Sequence, residues 1–163
     1  MKTFDFRSSA DEQHTYFVLL HTVEAPDATT WSQYVAALAE WIARSRTTIH
    51  IFAVTDGGGP DSAQRKALAK AFALDRRGAT THVFTTSAST RGIVTAFHWL
   101  ARSRAVAHEP GDFPLICEQC RIPAGAVLDD LLLLQRALPP VALLAQIGRA
   151  VRSSLGPGMG PAR

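Results

Sequence analysis

A glycine-rich turn is the stretch of this sequence best suited to contact a ligand or a partner. It follows an apolar, β-branched run at 49–54, which is typical of a strand buried on both faces. The residues of the turn and of the helix start after it are, in order, Asp56, Gly57, Gly58, Gly59, Pro60, Asp61 and Ser62. Three backbone N–H groups beside a helix N-terminus could hold a phosphate, although the Asp56 carboxylate would repel it. Neither a P-loop nor a Gly-x-Gly-x-x-Gly pattern is present, so a purely structural turn is the alternative.

Three polar side chains at the ends of successive predicted strands could form a hydrolase triad. His21 ends one strand, Asp56 the next and Ser87 the third. The carboxyl ends of parallel strands lie along one edge of a sheet, so these side chains could meet, as nucleophilic hydrolysis requires. Ser87 lacks the Gly-x-Ser-x-Gly elbow that exposes a nucleophile, and Ser89 and Thr90 beside it are typical of a helix start. We therefore predict no catalytic residue and keep a Ser/His hydrolase as the lesser alternative.

The two cysteines, Cys117 and Cys120, form a single Cys-x-x-Cys pair on a predicted helix. One such pair supplies two zinc ligands, and no second pair completes a set of four. His50 and His82 lie near the starts of neighbouring strands, where a lone histidine is usually structural, and His108 shows no ligand spacing. The sequence thus predicts unreactive thiols, no metal site and no cofactor, with redox or metal chemistry as the alternative.

Composition places the chain among ordinary globular proteins. It has 163 residues, of which 47% are hydrophobic and 19% charged, enough to build a real core. No apolar run reaches the roughly 18 residues of a membrane span, and the N-terminus lacks an apolar signal core. With only two cysteines, the sequence predicts a cytoplasmic protein without a transmembrane segment.

Charge is distributed unevenly along the chain. Residues 1–60 carry four basic and seven acidic side chains, whereas residues 61–163 carry thirteen basic and seven acidic ones. A basic second half can favour nucleic acid, an anionic lipid surface or an acidic protein. An arginine-rich, solvated surface is the simpler interpretation, so nucleic acid is not an expected partner.

Strands and helices alternate along most of the chain. The hydrophobic pattern predicts an edge strand at 3–7 and strands at 16–20, 49–54, 80–86 and 104–108, with helices between them. This alternation favours right-handed crossovers and therefore an α/β fold with a mainly parallel sheet of four to five strands.

Two further helices are predicted after this unit, at 124–138 and 141–155, separated by a Pro-Pro pair. We expect an α/β domain at 1–121, a C-terminal helical extension at 122–155 and a disordered tail at 156–163. The run Leu131 to Leu134 cannot all face one core from one helix, so part of it is expected to meet another surface. Glutamate at Leu132 and Leu134 would test that interface. Whether these helices pack on the same domain stays open.

Two short motifs resemble a known superfamily. They are Thr-Asp-Gly-Gly-Gly-Pro at 55–60, followed by Gln64 and Arg65, and Ser-Thr-Arg-Gly-Ile-Val at 89–94. The segment 16–120 resembles the STAS-like superfamily, which includes bacterial anti-sigma-factor antagonists and STAS/SEC14-type domains. The resemblance implies helices on one main face of the sheet and a protein–protein interaction module, sometimes switched by phosphorylation. Ser62 falls at the family's phosphosite, although the usual residues after it are replaced here by Ala63 and Gln64.

These observations favour a non-enzymatic regulatory or scaffold module that binds a partner protein through its carboxyl-end turns. The predicted contact residues are Asp56, Gly57, Gly58, Gly59, Ser62, Ser89, Thr90 and Arg91. The alternative is a module for a small anionic ligand, such as a phosphate, nucleotide or lipid head group, held by the turn and Arg91. The apolar C-terminal helices are expected to add an interface for self-association or for another subunit.

Overall fold

The structure, a computed structural model, describes residues 2–10, 15–75, 77–101 and 104–156. Within these ranges, the five strands are β1 (Phe4–Ala10), β2 (Thr15–His21), β3 (Ile49–Thr55), β4 (Thr80–Phe84) and β5 (Arg104–His108). The six α-helices are α1 (Ala28–Arg44), α2 (Ser62–Phe72), α3 (Ala88–Ala101), α4 (Phe113–Gln119), α5 (Ala124–Gln135) and α6 (Ala142–Ser154). None of the helices in these ranges is long and apolar enough to cross a membrane.

The strands form one sheet in chain order, β1-β2-β3-β4-β5. β1 pairs antiparallel with β2, and the three remaining pairs are parallel. The predicted α/β class and strand number are therefore confirmed, but the sheet is mixed. β1 and β2 are only four residues apart in the chain, whereas parallel neighbours need a crossover of about a dozen residues or more, so this pair is antiparallel. Successive right-handed crossovers in one direction place α1, α2 and α3 on the same face of the sheet.

Two apolar clusters lie on the two faces of the sheet. On the first face, residues such as Phe17, Ile51 and Val83 pack against the buried sides of α1, α2 and α3. On the second face, residues such as Val18 and Phe52 pack against α4, α5 and α6. Helices thus cover both faces, whereas the resemblance implied one main face. The predicted boundary between 1–121 and 122–155 stays a prediction, and the predicted tail lies, from residue 157 onwards, outside the described residues.

A carboxylate on α5 joins this helix to the edge of the sheet. Asp130, which is nearly buried, accepts a hydrogen bond from the Tyr16 hydroxyl at 3.1 Å. It also pairs with Nε of Arg7 at 2.7 Å. Burial raises the pKa of Tyr16, so the phenol keeps its proton and donates to the carboxylate. The contact fixes α5 across β1 and β2, and the sequence offered no signal for it.

The leucine run on α5 divides between the core and the surface. Leu131 and Leu134 are buried, whereas Leu132 and Leu133 are 48% and 40% exposed. This agrees with the expectation that one helix cannot turn all four inward. Leu134 belongs to the second-face core, so glutamate there would unfold the cluster and does not test an interface.

Candidate functional site

The glycine turn is held by hydrogen bonds within the fold. Gly57 N–H donates to Oγ1 of Thr55 at 3.1 Å, and Gly58 N–H donates to the Thr22 carbonyl at 3.1 Å. The Thr55 hydroxyl in turn donates to the Gly58 carbonyl at 2.6 Å. Two of the three amides proposed to cradle an anion are therefore already used. This weakens the case for an anion at the turn itself.

Asp56 caps a helix on the other side of the sheet. Its carboxylate accepts hydrogen bonds from the backbone N–H groups of Ala142 at 2.6 Å and Leu143 at 3.0 Å. These amides open α6, where a negative charge is favourable because of the unpaired N–H groups and the helix dipole. Both carboxylate oxygens are thus engaged, which gives this predicted contact residue a structural role 86 residues away along the chain.

Asp61 and Ser62 lie at the start of α2, and Asp61 caps the helix. Asp61 is the N-cap of α2: its side chain accepts from Gln64 N–H at 2.8 Å, and the Gln64 side chain accepts from Asp61 N–H at 2.9 Å. Ser62 is the first helical residue and is exposed. Its hydroxyl is therefore not required for capping.

The start of α3 joins the glycine turn through Thr90. Its hydroxyl donates to the Gly57 carbonyl at 3.2 Å, and its N–H donates to Oγ of Ser87 at 3.2 Å. Oγ of Ser87 also lies 2.9 Å from Oγ of the exposed Ser89. Arg91 forms an ion pair with Glu109 at the surface.

The three side chains of the possible triad share no hydrogen bond with one another in the part of the chain that the structure describes. Asp56 is engaged at α6, and Ser87 bonds within its own turn. Nδ1 of His21 has no hydrogen-bond partner at all there. This geometry supplies neither a base for Ser87 nor a carboxylate for His21.

A small cavity lies between the first face of the sheet and helices α1, α2 and α3, and the glycine turn forms part of its wall. Its volume is about 100 Å³. Apolar side chains form most of the wall, among them Ile51, Ala53, Leu68, Val83, Val94 and Ala105. Gly58, Gly59 and Thr90 complete it near the carboxyl ends of the strands. The cavity therefore lies between apolar side chains of the core and the segments that carry the predicted contact residues.

His21 is one of the polar residues in this cavity wall, together with Thr55, Arg65, Thr81 and Thr90. The residue is 4% exposed and its ring lies 4.4 Å from the Phe4 ring and 6.4 Å from the Trp31 ring, centroid to centroid. Burial lowers the pKa of His21 to about 3, so the imidazole is neutral near pH 7. A neutral imidazole can donate from one nitrogen and accept at the other. Nδ1 of His21 has no hydrogen-bond partner among the described residues.

The cavity and the unpartnered nitrogen of His21 both lower the free energy of unfolding. An empty volume of this size lowers the free energy of unfolding by roughly 2 kcal/mol, at about 24 cal/mol per Å³. An unsatisfied buried polar atom costs a further 1–3 kcal/mol or so. An engineered apolar cavity of about 150 Å³ binds benzene, so this one suits a ligand of similar or slightly smaller size. The position of His21 at the end of a strand is visible in the sequence, whereas the cavity is not, because it depends on how three helices pack on the sheet.

Comparison of the chain with protein-family models, with curated proteins and with solved structures finds no match.

Proposed function

We propose that this chain is a non-enzymatic regulatory module that binds a small, mainly apolar molecule carrying one hydrogen-bonding group. The ligand would fill the cavity between the sheet and helices α1 to α3, with its polar atom at His21. The observation that carries the proposal is a cavity with a mainly apolar wall that includes the buried, neutral His21, whose Nδ1 has no hydrogen-bond partner among the described residues. A ligand there would recover the stability that the void and the unpaired nitrogen cost.

The regulatory part of the proposal rests on residues that belong to both the cavity and the surface. Thr90 lines the cavity and bonds the glycine turn at Gly57, while its neighbours Ser89 and Arg91 reach the surface. A ligand that packs against Thr90 would favour one arrangement of the turn and α3. A protein partner docked on this surface would then bind one ligand state better than the other.

The proposal also includes the superfamily, the location and the role of the C-terminal helices that the sequence predicts. They are a STAS-like module of bacterial type in the cytoplasm, with helices α5 and α6 as an extension of the module. Both cysteines are free thiols, as a reducing setting requires. A phosphate on Ser62 would sit at the N-terminus of α2, which stabilises negative charge.

Thermal melting with a compound panel tests the ligand. The panel contains phenol and short alcohols, with inorganic phosphate and AMP as anionic probes. At 100 times its Kd, one ligand stabilises by about 2.7 kcal/mol, which raises Tm by roughly 5–10 °C at this chain length. The matched control is the double variant Ala53→Val, Ala105→Val, because both alanines line the cavity and valine suits a strand. We expect an apolar compound to shift Tm of the wild type and not of this variant.

A wild type that responds to no apolar compound would contradict the proposal, as would an equal shift in the filled variant. A response to phosphate or AMP alone would favour the anionic-ligand alternative. The double variant should melt at or above the wild-type temperature, since added methyl groups replace empty volume.

The exposed leucines of α5 carry the proposed self-association. We expect the double variant Leu132→Glu, Leu133→Glu to halve the mass of a wild-type dimer in sedimentation, because two buried charges would oppose the interface. Leu115→Glu is the matched control, since Leu115 is 53% exposed on α4 and lies outside this surface. A monomeric wild type, or a mass unchanged in the double variant, would contradict the interface.

A further inference from the structure

Three histidines form a diagonal row on the second face of the sheet. His50 lies on β3, His82 on β4 and His108 on β5. His82 lies two positions beyond Thr80, the partner of His50, and His108 lies two positions beyond Val106, the partner of His82, so all three point to the same face. Their rings are close: the centroids of His50 and His82 are 5.8 Å apart, and those of His82 and His108 are 5.3 Å apart. Cys120, just after α4, lies against this row.

The distances within this cluster match a metal site. Nε2 of His82 lies 3.4 Å from Sγ of Cys120. Tetrahedral zinc, with Zn–N near 2.0–2.1 Å and Zn–S near 2.3 Å, separates such a nitrogen and sulfur by about 3.5 Å. One ligand atom from each of His50, His82 and Cys120 lies within 4.8 Å of the other two. Closing all three onto one ion takes side-chain shifts of less than about 1 Å.

His108 sets the orientation of the central ligand. Its Nε2 lies 3.2 Å from Nδ1 of His82. If Nδ1 of His82 carries the proton and donates it to His108, the lone pair of Nε2 points toward Cys120. Histidines that bind metals use their second nitrogen in this way. Burial, with smaller contributions from His108 and His50, lowers the pKa of His82 to about 4, so the ring is neutral and able to ligate.

We propose that His50, His82 and Cys120 bind a zinc ion, with His108 as the positioning residue for His82. The thiol of Cys120 loses its proton to solvent on binding, and the thiolate, two imidazoles and a water complete four ligands. His50 and Cys120 are only partly buried, so an ion can reach the site. Cys117 is not proposed as a ligand, because its sulfur does not belong to the group of ligand atoms that lie within 4.8 Å of one another. This site is independent of the ligand cavity, which lies on the first face.

Titration of the chelator-treated protein with Co²⁺, the spectroscopic substitute for zinc, tests this site. We expect one equivalent to bind, with visible d–d bands of tetrahedral cobalt and a near-ultraviolet thiolate-to-cobalt band, and equimolar zinc to remove both. Cys120→Ser should lose the thiolate band, and His108→Phe should weaken binding by about 10- to 100-fold. Cys117→Ala is the matched control and should keep the full spectrum.

Wild-type protein gives a second readout that does not depend on a variant folding. Zinc should slow alkylation of Cys120 by at least about tenfold, since a bound thiolate is a poor nucleophile. Absence of cobalt bands, a thiolate band that survives in Cys120→Ser, or an alkylation rate unchanged by zinc would each overturn the proposal. The cluster would then be explained by a thiol-to-imidazole hydrogen bond alone.

Discussion

Replacing Gly58 with alanine is expected to destabilise the protein by about 3 kcal/mol or more. A Cβ at this position would lie 2.1 Å from the Glu24 carbonyl oxygen and 2.4 Å from that of Thr22. Both are backbone atoms, so no side chain can move aside to admit the methyl group. The turn would have to withdraw and would break the hydrogen bond from Gly58 N–H to Thr22. Urea unfolding followed by circular dichroism measures the loss.

Gly59→Ala is the control for this prediction. Among the residues that the structure describes, none has an atom within 4 Å of a Cβ at Gly59, so we expect a change of less than about 1 kcal/mol. Equal effects of the two substitutions would contradict the tight packing of Gly58 against the link between β2 and α1.

Acid is expected to weaken the fold through His21. The folded pKa is lowered from 6.5 to about 3, because the buried imidazole cannot take up a proton without solvation. Below pH 6.5 the unfolded chain binds a proton that the folded chain does not. The stabilising contribution is thus fully present above pH 6.5 and is lost as the pH falls toward 3. One such group changes the free energy of unfolding by about 1.4 kcal/mol per pH unit in this window.

Urea unfolding at pH 7 and pH 4.5 measures this effect. At pH 4.5, two units below the pKa of a free histidine, His21 alone lowers the free energy of unfolding by about 2.7 kcal/mol. His21→Phe keeps an aromatic ring beside Phe4 and Trp31 but cannot titrate, so its stability should fall less between the two pH values. If His21→Phe loses as much stability between the two pH values as the wild type does, a buried, neutral His21 is contradicted.

Much of the fold could be predicted because its signals are local. The run at 49–54 is apolar and β-branched, and α1 presents Trp31, Tyr34 and Leu38 at helical spacing to the core. The direction of β1 could not be predicted in the same way, because alternation at 3–7 indicates a strand but not which way it pairs. The position of α5 depends on Asp130, whose partners Arg7 and Tyr16 lie more than 100 residues earlier in the chain.

The site was less predictable because it depends on long-range packing. His21 stands out in the sequence as a polar residue at the end of an apolar strand. That its Nδ1 has no hydrogen-bond partner among the described residues could not be predicted, because it depends on how three helices pack on the sheet. Asp56 is predicted from the sequence as a contact residue, but its hydrogen bonds to two amides of α6 could not be predicted, because they join residues far apart in the chain. The row of His50, His82 and His108 was hidden for a similar reason. The shared face follows from strand register, which single positions do not reveal.

Intermolecular NOEs between an apolar probe and the methyl groups of the protein test the central proposal most directly. A methyl-labelled sample is saturated with benzene, phenol or the best compound from the melting panel. The cavity account predicts NOEs from the probe to methyl groups of the cavity wall, namely those of Leu68, Val83 and Val94. NOEs confined to the exposed leucines Leu132 and Leu133, or none at a saturating probe concentration, would contradict it.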